Sequence, residues 1–383
     1  MKFRSERDSL LETLSTAARA VGTRGTSSPV LSGLLLTCSK NRLVVVGTDL
    51  DLTITAEQEV IGIDDGSCVI PARLSTDIVR RLEAGAVTLE TDDDQVTITS
   101  ARSKFTLRTF PVVEFPQVTN SDSPTIELPS NLLSESVRQV VRAASNDSAR
   151  PLLTGVLLTS GDVGARLVAT DSYRLAFRDL EGVVGVDLED LLIPARALHE
   201  LQRLGSQNSP VSPKNDGQES TNGENYQDKV TIASGAHQIT FTRGSVRIST
   251  RLLEGTYPDY HQLIPDHYPN QIHLGKETFI SALRRVQLLV RDSMTPVRLS
   301  MRQGGVDMSV VSQEVGDASE TVDGDFTGQD TIIAFNPAYL IDGVEAVSGD
   351  EVIIEVADSA KPATVRAVED ETYRYLLMPV RVS

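Results

Sequence analysis

The chain has 383 residues, 40% hydrophobic and 23% charged, which fits a folded multi-domain protein and excludes a single large core. No apolar run approaches a membrane span, the N-terminus has no signal-peptide pattern, and two cysteines are too few for a disulfide framework or zinc site, so the expected location is cytoplasmic. Acidic residues outnumber basic ones 53 to 36, giving a formal charge of -17, so any binding of nucleic acid must rest on a local basic stripe.

In chain order the same elements recur. Leu10, Leu14, Ala17 and Val21 have helical spacing and predict a helix with one buried face, as do Leu133, Val137, Val140 and Ala144, then Phe279, Leu283, Val286 and Val290. A proline-led apolar strand follows each: Pro29-Val30-Leu31-Ser32-Gly33-Leu34, then Pro151-Leu152-Leu153-Thr154-Gly155-Val156, then a degraded copy, Pro296-Val297-Arg298-Leu299. A second anchor comes next, Ile70-Pro71-Ala72-Arg73, Ile193-Pro194-Ala195-Arg196 and Asn336-Pro337-Ala338-Tyr339, with the proline expected in a first helical turn. The spans Pro29 to Pro71, Pro151 to Pro194 and Pro296 to Pro337 are nearly equal. Gly85, Gly205 and Gly349 are the expected helix stops. Alternating strands follow, such as Val87 to Glu90 with Val96 to Ile98, and Val230 to Ile232 with Ile239 to Phe241. Asp92-Asp93-Asp94 reads as a hairpin tip rather than a metal site.

The repeat predicts an α+β protein of three tandem copies, over 1–120, 126–256 and 258–383. The middle copy is longer, and its excess falls in 206–228, a polar stretch with the composition of a disordered surface loop. Polar connectors are expected near Thr119 to Pro124 and Asp266 to Gln271. Cys38 and Cys68 read as small hydrophobes. His261, His267 and His273 are expected along a connector, and no histidine spacing suggests a metal.

The strings Ala169-Thr170-Asp171-Ser172-Tyr173-Arg174-Leu175-Ala176, Leu253-Glu254-Gly255-Thr256-Tyr257-Pro258-Asp259-Tyr260 and Tyr375-Leu376-Leu377-Met378-Pro379-Val380-Arg381, with the threefold repeat, resemble the bacterial sliding clamp, the beta subunit of DNA polymerase III holoenzyme. The resemblance covers the whole chain. It implies a head-to-tail homodimeric ring, helices lining the hole and sheets outside, that encircles double-stranded DNA without sequence preference. Arg24 matches a family position that contacts DNA; Arg73, Arg80, Arg138, Arg142, Arg150, Arg196 and Arg203 lie on helices and turns that would face the duplex, although an exposed helix arginine is equally well a solvated face.

The same resemblance implies a pocket for linear peptide motifs of the replicative polymerase alpha subunit, the clamp loader, translesion polymerases, mismatch-repair proteins and ligase. Its walls would be Leu153, Thr170, Ser172, Tyr173, Arg174, Leu175, Pro258, Gln262, Leu263, Met294, Tyr339, Pro362, Leu376, Leu377, Met378, Pro379, Val380 and Arg381. Phe105 and Leu107 on an edge strand, facing Leu288 and Leu289 after a third-copy helix, would form the contact between chains. The family implies no cofactor, no membrane and no catalysis of its own. The sequence has no phosphate-cradling glycine loop and no nucleophile or zincin motif, which argues against an enzyme. A repeat-built protein-interaction scaffold that binds no DNA is the other reading, and the acidic net charge favours it.

Overall fold

A computed structural model describes residues 1–22, 28–117, 125–161, 163–181, 190–206, 228–265, 267–291 and 295–381. The first copy runs β1 (Lys2–Glu6), α1 (Arg7–Ala18), β2 (Gly33–Ser39), β3 (Arg42–Thr48), β4 (Leu52–Glu59), β5 (Ile61–Asp64), β6 (Gly66–Pro71), α2 (Ala72–Arg81), β7 (Ala86–Asp92), β8 (Gln95–Ser100) and β9 (Ser103–Arg108). The second runs β10 (Thr125–Pro129), α3 (Ser130–Val140), β11 (Gly155–Gly161), β12 (Gly164–Thr170), β13 (Arg174–Glu181), β14 (Leu191–Pro194), α4 (Ala195–Ser206), β15 (Lys229–Ser234), β16 (Gln238–Arg243) and β17 (Val246–Arg251). The third runs β18 (Asn270–Gly275), α5 (Lys276–Gln287), β19 (Val297–Arg302), β20 (Gly305–Ser312), β21 (Gly316–Thr327), β22 (Thr331–Phe335), α6 (Pro337–Ala346), β23 (Glu351–Val356), β24 (Ala363–Ala367) and β25 (Tyr373–Leu377). Apart from β5, each copy is a strand, a helix, four strands, a helix and three strands.

The chain packs as two compact units, Met1–Leu133 with His199–Leu252, and Ser134–Leu198 with Leu253–Ser383. The first holds a five-stranded sheet, β5-β1-β7-β8-β9, and an eight-stranded sheet, β10-β15-β16-β17-β4-β3-β2-β6. The second holds one twelve-stranded sheet, β14-β11-β12-β13-β25-β24-β23-β18-β21-β20-β19-β22. The first two copies each divide their strands between two sheets, the third keeps its eight strands in one run, and strands from different copies join edge to edge. β17 of the second copy pairs with β4 of the first, Ile248 opposite Ile54. β25 of the third pairs with β13 of the second, Leu376 opposite Leu175. Backbone groups at these edges are satisfied by the next copy instead of by water.

Within the first unit, α1 buries Leu10, Thr13, Leu14, Thr16 and Ala17, the face its spacing requires. Leu10 and Leu14 are fully buried, worth roughly 1.5–3 kcal/mol each before the entropy of ordering them. In the second unit α5 likewise buries Phe279, Ile280, Ala282, Leu283 and Val286. Asp93, at φ 47, turns the two-residue hairpin between β7 and β8, so the three aspartates form a tip as expected. Both cysteines are free and buried.

Three expectations fail in detail. Pro71 and Pro194 end the strands β6 and β14, and only Pro337 stands in a first helical turn, where the preceding Asn336 side chain accepts from the backbone N–H of Ala338. The glycines are not helix caps: α2 and α6 end at Arg81 and Ala346, their following residues Leu82 and Val347 are extended, and α4 runs past Gly205 to Ser206. Gly85 and Gly349, at φ +126 and +83, instead turn the chain into the next strand, a conformation that costs glycine little. His273, Asn270 and Gln271 lie in β18, not in a connector. The connector Thr119 to Pro124 and nearly all of the insertion 206–228 fall outside the described residues.

Candidate functional site

The second unit brings most of the expected pocket residues together around the start of β13. The Asp171 carboxylate accepts from the backbone N–H groups of Tyr173 and Arg174, at 2.9 and 3.0 Å, closing a tight turn with Ser172 at φ 79. This turn leaves Tyr173 59% exposed and sends Arg174 inward. The Arg174 guanidinium donates to Asp171 at 3.0 Å and to Asp342 at 2.6 Å, and lies 4.3 Å above the ring of Tyr339. Tyr173 stacks on the same ring with centroids 6.5 Å apart. Burial alone would favour a neutral Arg174, but the Tyr375 phenol and the carboxylates of Asp342 and Asp171 outweigh it and hold the guanidinium charged.

The remaining wall residues divide by exposure. Leu153, Thr170, Leu175, Leu376 and Leu377 are buried, with Leu175 and Leu376 packed among Leu157, Val168, Phe177, Leu192 and Tyr260. Tyr339, Pro362, Pro379 and Val380 are half-buried, while Ser172, Tyr173, Pro258, Gln262, Leu263, Met378 and Arg381 are exposed. The apolar residues of the set are thus part of the chain's own core, and its exposed large hydrophobic side chains are Tyr173, Leu263 and Met378. The tail is strapped in place: Met378 N–H donates to the Tyr173 carbonyl at 2.9 Å, and Val380 N–H to that of Ala334 at 2.8 Å. Beside Pro258, a cavity of about 380 Å³ is lined by Leu157, Leu192, Tyr257 and Tyr260 among others. Met294 lies outside the described residues.

The expected DNA-facing arginines are not equivalent. On α2 of the first unit, Arg73 is exposed and has no ion pair among the described residues, while Arg80 pairs with Asp77 at 2.8 Å. With Arg19, both line a concavity of about 840 Å³ between α1 and α2. Arg203 pairs with Glu200 at 2.8 Å, and Arg196 is exposed on α4. In the second unit Arg138 forks onto Glu135, at 2.6 and 2.8 Å, and Arg142 meets Glu345 at 2.7 Å. Arg150 pairs with Asp147 at 3.1 Å and donates to the Asp171 carbonyl and the Ser172 hydroxyl, so it buttresses the pocket turn. Burial pushes Glu345 up, but Arg142 and Arg284 more than reverse it and hold the carboxyl below its usual range. Arg24 lies outside the described residues.

Phe105 lies on β9, the open edge of the five-stranded sheet, and is 40% exposed, whereas Leu107 packs against the core. Leu288, just past α5, is 75% exposed and Leu289 is half-buried. Sequence reasoning missed Asp171, Asp342, Glu345 and Tyr375, whose partners are 3 to 203 positions away. The only local signal was the pairing of two carboxylates three residues apart on one predicted helix. Among the described residues, no group of acidic, histidine or cysteine side chains is arranged to hold a metal, and no helix is long and apolar enough to cross a membrane.

These features define a class, a tandem α+β repeat whose C-terminal strand β25 pairs with β13 beside a stacked pair of tyrosines, Tyr173 and Tyr339. Family models for the DNA polymerase III beta subunit match across the chain, the N-terminal domain at residues 1–119, the central domain at 127–214 and the C-terminal domain at 261–381. The beta sliding clamp of Streptomyces coelicolor is 34% identical over the full length of both chains. The crystal structure of the Bacillus subtilis clamp superposes over the full chain with a TM-score of 0.89 at 29% identity, and that of Bartonella birtlesii, bound to griselimycin, with 0.90 at 30%. The chain belongs to the DNA polymerase III beta-subunit family, the beta sliding clamps.

Proposed function

We propose that the chain is a non-catalytic processivity factor built of three domains, 1–120, 126–256 and 258–383. Two chains close head to tail into a ring around duplex DNA, and the groove beside Met378 tethers replication and repair proteins through short peptide segments. The observation that carries this reading is the series of strand junctions. β17 joins β4 and β25 joins β13, each time the last strand of one copy against the fourth main strand of the copy before it. The series leaves β9 without a partner on its outer side, and the Gly316–Val322 stretch of β21 paired on one side by β20 alone. A second chain supplies the missing member of the series by pairing its β21 with this β9. Charge favours that match. β9 and its approach carry Arg102, Lys104 and Arg108, and β21 carries Asp317, Glu320 and Asp323.

Arginine contacts to phosphate hold a duplex without reading its sequence, which sliding requires. Arg73, with no ion pair among the described residues, and the concavity it lines with Arg19 and Arg80 favour DNA over a scaffold with no nucleic-acid role. The expected occupants of the groove are peptide segments of the polymerase alpha subunit, the clamp loader, translesion polymerases, mismatch-repair proteins and ligase, in the cytoplasm. The test has two parts. Sedimentation should give a dimer, and protein placed on nicked circular DNA by its loader should remain until the circle is cut. A monomer, or equal loss from circles and linear fragments, would refute the ring.

A further inference from the structure

We infer that α6 couples the peptide groove to the duplex-facing arginines through two carboxylates, Asp342 and Glu345, a link that rests on the groove and duplex readings above. Three arginines from three different elements converge on this one helical turn. Arg174, from the groove, donates to one oxygen of Asp342 at 2.6 Å; Arg142, just past α3, lies 3.7 Å from the other oxygen and 2.7 Å from Glu345; and Arg284, on α5, meets the second oxygen of Glu345 at 2.6 Å. The two ends of the chain of charges differ in access. Arg174 is 10% exposed, whereas Arg142 and Arg284 are 41% and 60% exposed, open enough to meet a phosphate.

The helix carrying the carboxylates is seated firmly. The Tyr375 ring lies so close to Gly343 that a Cβ there would sit 2.4 Å from it, and the Tyr375 hydroxyl donates to the Tyr339 carbonyl at 2.8 Å. Tyr339, one turn before Asp342, is the ring beneath Arg174 and against Tyr173. A change in what Asp342 holds therefore acts directly on the aromatic wall of the groove.

The direction follows from competition. A duplex that recruits Arg142 and Arg284 takes them from Glu345 and removes Arg142 as a second claimant on Asp342. Asp342 then commits to Arg174, which fixes the guanidinium over Tyr339 and preorganises the groove. Duplex binding tightens peptide binding, and by linkage an occupied groove tightens the hold on the duplex by the same factor. Asp342 is a positioning residue here, since it acts through Arg174.

The experiment uses the full-length dimer, griselimycin as the groove probe and a short linear duplex at low salt, with each affinity measured alone and in the presence of the other. Wild type should bind griselimycin about fivefold more tightly with duplex than without. Asp342→Asn should bring that ratio to one. Glu345→Gln should raise duplex affinity about threefold, by releasing Arg142 and Arg284. A wild-type ratio of one, an Asp342→Asn protein that keeps the wild-type ratio, or unchanged duplex affinity in Glu345→Gln would each overturn the coupling. Failure of griselimycin to bind wild type without DNA would instead overturn the groove reading on which the coupling stands.

Discussion

Helices α2 and α6 follow the same anchor proline in the first and third copies, and they have taken opposite electrostatic roles. Counted from Pro71 and Pro337, Arg73 stands where α6 has Tyr339, and Thr76 where it has Asp342. α2 ends in Arg80 and Arg81 and projects cations from its own turns. α6 has no basic residue, and its carboxylates gather arginines from β13, α5 and the turn after α3. One scaffold position thus yields in one copy an exposed arginine, Arg73, with no ion pair among the described residues, and in another a helix that holds arginines from elsewhere. A count of arginines along the sequence cannot separate the two, because what differs is where the partner sits: Arg80 pairs with Asp77 of its own helix, whereas the carboxylates of α6 take arginines from other elements.

The largest test removes the tail that closes the α6 side. Truncation before Met378 should cost the groove at least about a hundredfold in griselimycin affinity, since it deletes a wall and its strap to Tyr173 and Ala334. The dimer and its hold on duplex should survive, as the α2 side is untouched; a truncated protein that is monomeric in sedimentation would break the separation. Next, Gly343→Ala should lower stability by about 1–3 kcal/mol in denaturant unfolding, because the added methyl meets the Tyr375 ring. The matching α2 position, Asp77→Ala, loses only a surface pair with Arg80 and should change stability by less than about 1 kcal/mol.

A third comparison is of arginines. Arg73→Ala should weaken duplex binding severalfold and lower the salt slope by about one, while Arg142→Ala, which first has to leave Glu345, should do less. The smallest effect is on acid stability. The Glu345 carboxyl is held below its ordinary value in the folded chain, so its stabilisation is complete above the unfolded value and fades as pH falls through the lower, folded one. Unfolding of Glu345→Gln should accordingly show a shallower loss between neutral pH and the acid end than wild type does.

The repeat was legible because its signals are local. Helical spacing around Leu10, Leu133 and Phe279 and the alternation of the hairpins survive any tertiary context that buries one face. Cap chemistry was less legible: Gly85 and Gly349 occur after helices, but hydrophobic Leu82 and Val347 leave each helix first, in extended conformation, to reach the core. At the expected pocket, the resemblance named Tyr173, Tyr339 and Met378 among the walls, yet said nothing of which leucines would be exposed. Leu175 and Leu377 alternate with neighbours on strands buried on both sides, so their facing depends on the β13–β25 register, which is set between copies. Asp342 and Glu345 gain meaning only from arginines brought to them by three other elements.

The junctions between copies carry a further consequence for how such an assembly opens. In each chain two junctions of the series, β17 with β4 and β25 with β13, join segments of one polypeptide, so a broken junction finds its mate at a high effective concentration. The proposed junction of two chains at β9 would have no covalent tether, and its rejoining would slow with dilution. In the proposed ring, breakage would thereby be directed to one place per chain, and a partner that opens it would have only to act on the edge that the polypeptide itself does not tie shut.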